Sequence, residues 1–71
     1  MSDAKFQELV YQMIRDARAM SIATLWETMA YLDQVIIRDH YETGRTSELA
    51  YAAIKAYGDE LQTRIYGVRP N

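Results

Sequence analysis

The stretch from Ser21 to Tyr41, SIATLWETMAYLDQVIIRDHY, constrains the fold more than any other part of the chain. At about 100° per residue it forms a helix with Ile22, Leu25, Met29, Leu32 and Ile36 on one stripe and Trp26, Ala30, Ile37 and Tyr41 beside it. A face this broad needs more cover than one short helix provides, so it calls for two helices or for another molecule. Glu27, Asp33, Arg38 and Asp39 interrupt the run, which leaves nothing like the roughly 18 nearly uncharged residues of a bilayer span. The reading at this point is a soluble helix with no membrane role.

The whole chain has 71 residues, so residues 1–71 are read as a single helical domain. A domain of this size buries only about 60% of the surface of its unfolded chain. Small domains compensate with disulfides, a metal or oligomerisation, and the absence of cysteine removes the first route and any thiolate metal site. Oligomerisation is the remaining inexpensive route. The formal charge of -2 and a pI near 5.2 argue against a large phosphate-binding surface, so direct nucleic-acid binding is disfavoured. The N-terminus, MSDAKFQELV, has an early acidic residue and no basic segment leading into an apolar run, so no signal peptide is expected and a cytoplasmic location is.

Three helices are expected, over about 3–19, 22–42 and 47–66, with a short tail at 67–71. Ser2 or Asp3 can cap the first, whose narrow apolar stripe runs through Phe6, Leu9, Val10, Met13, Ile14, Ala17 and Met20. No glycine or proline separates the first two helices. The break must therefore come from capping at Ser21, with Met20 and Leu25 as a hydrophobic staple and Thr24 to Glu27 as a competing capping box; without it, helices 1 and 2 merge into one rod of roughly 40 residues and the fold becomes a long hairpin. Gly44 ends the second helix and Thr46 or Ser47 caps the third. The third stripe should comprise Leu49, Ala50, Ala53, Ile54, Tyr57, Leu61 and Ile65, continuous or slightly bent at Gly58 at a cost of about 1 kcal/mol, with Asp59 to Gln62 as a second capping box should Gly58 break the helix. The fold expected is all-α, with helices 2 and 3 as an antiparallel hairpin, helix 1 beside it, and the whole assembled as a homodimeric helical bundle.

Asp33 and His40 are the polar residues inside the broad arc of helix 2. Seven residues apart, they lie about 10 Å from each other on one helix and cannot bond directly. Two antiparallel copies of helix 2, related by a two-fold near Ile36 and Ile37, would bring Asp33 of one chain to His40 of the other and fix the register of a dimer. The dimer or partner interface is therefore assigned to Trp26, Asp33, Ile36, Ile37, His40 and Tyr41. Trp26 and Tyr57 are expected to point inward. Tyr11, Tyr31 and Tyr66 fall on otherwise polar faces, and with Val35 on the outer face of helix 2 they form a second candidate surface for a partner protein.

Chemistry has little to stand on. His40 has no companion at a ligand spacing such as Glu-x-x-His or His-x-x-x-His, so no metal is assigned. Glu27, Asp59 and Glu60 have no paired carboxylate at a predictable separation, and neither a phosphate loop nor a serine nucleophile in a turn occurs. No catalytic residue or cofactor is assigned, and a small helical enzyme or accessory subunit is the weakest of the functions considered. The arginines at 15, 18, 38, 45, 64 and 69 alternate with acids and read as a solvated surface.

One segment, Glu48-Leu49-Ala50-Tyr51-Ala52-Ala53 followed by Asp59-Glu60-Leu61 and Arg64-Ile65-Tyr66, resembles the third-helix region of the Hha/YmoA family. These are small enterobacterial proteins that bind nucleoid-structuring proteins and modulate gene silencing, so the resemblance implies a modulator of a nucleoid or transcription complex. The family's Asp-His-Arg run and its C-terminal Trp-containing segment have no counterpart, so no functional residue is carried across. From the residues themselves, the expectation is a regulatory or adaptor protein that acts by protein binding.

Overall fold

The computed structural model describes residues 2–45 and 47–67, and these form three helices and no strand: α1 (Asp3–Ala19), α2 (Ile22–Thr43) and α3 (Glu48–Tyr66). Each helix begins on a serine. The Oγ of Ser2 accepts from the Lys5 amide, that of Ser21 from Thr24 and that of Ser47 from Leu49, each at 3.2 Å. A serine at this position satisfies amides that have no carbonyl partner inside the first turn. Ser21 therefore prevails over the capping box one turn later, and α1 and α2 are separate helices. Thr46 lies outside the described residues, as do Val68 to Asn71 of the expected tail.

The two glycine stops work through their backbone. Gly44 has φ 71° and its amide donates to the His40 carbonyl at 2.9 Å. Gly67 has φ 76° and donates to Thr63. Both sit in the left-handed region, where a Cβ is disfavoured. Gly58 does something else, because α3 runs through it without a break and Met29 of α2 packs onto it.

Helix α3 is the shared partner: it packs against both α1 and α2, which meet at their junction and scarcely touch elsewhere. Its buried positions are Ala53, Ala56, Glu60 and Leu61, and the small residues let two neighbours approach its axis. The densest packing lies where the end of α1, the start of α2 and the second half of α3 converge. There Ala17, Leu25 and Leu61 are buried, with Met20, Met29 and Tyr57 against them. At the other end, Asp3 and Phe6 of α1 lie beside Ser47, Glu48 and Leu49. Among the described residues no helix is long and apolar enough to cross a membrane.

Because α1 stays away from the flank of α2, the α2 stripe is covered on one side only. Leu25 is fully buried, and Met29, Leu32, Val35 and Ile36 are half-buried. Trp26, expected inward, stands 100° further round and is 57% exposed; Ile22 is 46% exposed. Val35, expected on the outer face, is half-buried instead. Ile65, placed in the α3 stripe, is exposed, while Ala56 and Glu60 take the buried places facing α1.

Candidate functional site

Two surfaces stand out, one on α2 and one between α1 and α3. On α2, the uncovered flank presents Ile22, Trp26, Ile37 (66% exposed) and Tyr41 (91% exposed). Ala30, Asp33 and His40 are exposed on the same side. The structure thus puts five of the six residues assigned to the interface, Trp26, Asp33, Ile37, His40 and Tyr41, on one open strip, while Ile36 turns partly toward α3. The side chains of Asp33 and His40 make no hydrogen bond or ion pair among the described residues. Large apolar side chains left this exposed in one strip are the usual mark of an interaction surface.

The second surface is a groove of about 440 Å³ between α1 and α3. Phe6, Val10, Ile14 and Ala56 supply its apolar lining, and Arg18, Lys55, Asp59 and Glu60 its charges. Lys55 is committed to Asp59 at 3.0 Å, one helical turn on. By helical position Tyr11 follows Gln7 of the groove by four residues and Tyr66 follows Thr63 by three, so both exposed tyrosines stand beside it. Tyr31 is exposed on α2, away from this groove.

Arg64 and Glu60 were not singled out as a unit by sequence reasoning. The Arg64 guanidinium donates to the carbonyls of Ala17 (3.3 Å) and Arg18 (2.9 Å), which belong to the last turn of α1. Its Nε lies 3.8 Å from Oε1 of Glu60, which is 6% exposed. The Ala17 carbonyl also accepts from the Met20 amide at 3.2 Å, and the end of one helix is thus held both by its own cap and by a cation from another helix. The i, i+4 spacing of Glu60 and Arg64 was the available signal. Arg64 is accordingly half-buried, unlike the solvated arginine expected.

Among the described residues, Tyr57 is a phenol whose surroundings bear on its ionisation. Burial, and then the nearby Asp16 carboxylate, push its phenol above the ordinary 10.0. That arrangement favours a neutral side chain packed against the cluster of Ala17, Leu25 and Leu61. Among the described residues no group of three His, Asp or Glu side chains converges as a metal site would require.

Comparison with known proteins adds no relative: no protein-family model, curated protein or solved structure matches the chain.

Proposed function

We propose that this is a cytoplasmic regulatory or adaptor protein that acts by binding another protein, without catalysis, and that it self-associates as a homodimer. In this reading α2 and α3 form an antiparallel hairpin, and two hairpins join through α2 into a helical bundle. The open strip of Ile22, Trp26, Ile37 and Tyr41 carries the proposal, because a chain with so few fully buried side chains gains most from covering it. The partner protein then has the α1–α3 groove, with Tyr11 and Tyr66 beside it. Aromatic side chains with a polar tip suit such contacts because they bury large area at small entropic cost.

Sedimentation equilibrium tests the self-association. A dimer at micromolar concentration is expected, and Ile37→Asp should return it to monomer with its helicity intact, since Ile37 is exposed in the single chain. A strictly monomeric wild-type protein at high micromolar concentration would refute the dimer. For the partner surface, affinity capture from the native host should lose its specific band with Tyr11→Ser and Tyr66→Ser together. Unchanged capture would place the partner elsewhere.

A further inference from the structure

We propose that α1 is an exchangeable arm: the bend between α1 and α2 straightens, the two helices become one, and α1 of each copy takes the α1 place on α3 of a second copy. The exchange makes no use of the α2 strip, so it stands apart from the dimer proposed through that strip.

The bend is confined to two residues. Met20 (φ -83°, ψ 150°) and Ser21 (φ -73°, ψ 162°) alone separate the helices, and neither is a glycine or a proline. Their φ angles already lie near the helical value of about -63°, so rotating ψ at these two positions makes Asp3 to Thr43 one helix about 60 Å long. Straightening breaks little. It gives up the bond from the Met20 amide to the Ala17 carbonyl and that from the Thr24 amide to Ser21 Oγ, both 3.2 Å. In return the amides of Ser21, Ile22, Ala23 and Thr24 reach the carbonyls of Ala17, Arg18, Ala19 and Met20, so two helix ends disappear from each chain. Arg64, on the carbonyls of Ala17 and Arg18, holds the bent form against this change.

Helix α1 can leave without losing the contact that it makes. It packs on α3 and scarcely touches α2 away from the junction. On a second copy it finds the same surface, with Phe6 beside Ser47 to Leu49 and Ala17 against Leu61. Its own α3 is then out of reach, because the straight helix carries Phe6 about 20 Å beyond the junction. The connection fits as well. The end of a borrowed α1 lies where the resident one did, against Leu25 and Leu61, so the two straightened bends sit side by side and no long linker is needed. A hinge this short cannot serve both forms within one chain, which is the condition that favours exchange between chains.

The test uses an Ile37→Asp chain, which takes the α2 strip out of the measurement. Equal parts of isotope-labelled and unlabelled chain are refolded together from urea at millimolar concentration. Sedimentation should show a dimer, and isotope-filtered spectra should show nuclear Overhauser contacts between Ala17 and Leu61 methyls of different chains. Refolding at micromolar concentration should give monomer. Ile22→Pro suits the bent form, because proline is favoured at a first helical position and Ser21 before it is extended, yet proline breaks a continuous helix. It should lower the constant for the exchanged dimer by at least about a hundredfold. Ser21→Ala removes the cap and favours helix through the bend, and should raise that constant by about tenfold. Monomer alone after concentrated refolding, a dimer whose Ala17 to Leu61 contacts lie within one chain, or an Ile22→Pro dimer as abundant as its parent would overturn the exchange, whatever the outcome for the α2 strip.

Discussion

Truncating Leu25 to alanine should be the most damaging single change in the α2 face. Leu25 is the largest side chain with no exposed surface, and it sits with Ala17 and Leu61 where all three helices converge. The Ser21 cap and the short α1–α2 junction pin the backbone there, so the space left by the side chain cannot close by helix movement. Leucine-to-alanine changes at such sites cost about 2.7 to 5 kcal/mol, and Leu25→Ala is expected in the middle of that range, about 3 to 4 kcal/mol. A chain of 71 residues has a total stability of only about 4 to 10 kcal/mol. The midpoint of thermal unfolding should therefore fall by about 12 to 30 °C. Leu32, seven residues on, is half-buried, so Leu32→Ala should cost about 1 to 2 kcal/mol. Urea unfolding followed by helical circular dichroism measures both, at two protein concentrations so that any effect of association is separated from loss of fold. A cost for Leu32→Ala equal to or above that for Leu25→Ala would show that the convergence point of the helices is not the core.

Three further outcomes follow from the geometry. Arg64→Ala removes a charged donor from the carbonyls of Ala17 and Arg18 and should cost about 1.5 to 3 kcal/mol; the double variant with Glu60→Gln should cost less than the two singles together, as urea titration of the four proteins would reveal. Tyr57 holds its proton more tightly in the folded chain than in the unfolded one, so its contribution is complete below pH 10.0 and is lost as pH rises through the raised folded value; alkaline unfolding curves should flatten in Tyr57→Phe. Gly58→Ala should be neutral or stabilising by up to about 1 kcal/mol, because the added methyl meets only the mobile end of Met29 at 3.4 Å while the helix gains a better former. A loss of stability in that variant would mean that Met29 cannot give way.

The sequence by itself determined the local chemistry of this chain. Serines before apolar runs read as caps because a hydroxyl two or three residues ahead of an amide satisfies it whatever lies beyond the helix, and Ser2, Ser21 and Ser47 do so here. Gly44 read as a stop because its backbone can take φ 71° at small cost. The α1 stripe was legible as well, since Phe6, Leu9, Val10, Met13, Ile14 and Ala17 are the residues it half-buries or buries. On α2, however, the apolar arc is too wide for periodicity to say which part is covered. Leu25 and Trp26 are adjacent and both apolar, yet one is fully buried and the other mostly exposed, because α3 reaches one side of α2 and α1 turns away from the other. Only the tertiary structure decided that. It also made α3, with Ala53, Ala56 and Gly58 admitting close neighbours, the helix that both others share, and it carried Glu60 and Arg64 from an ordinary surface spacing to the buried end of α1. Hydrophobic pattern fixes which faces of a helix seek cover, but where that cover arrives depends on the directions in which the chain leaves its turns.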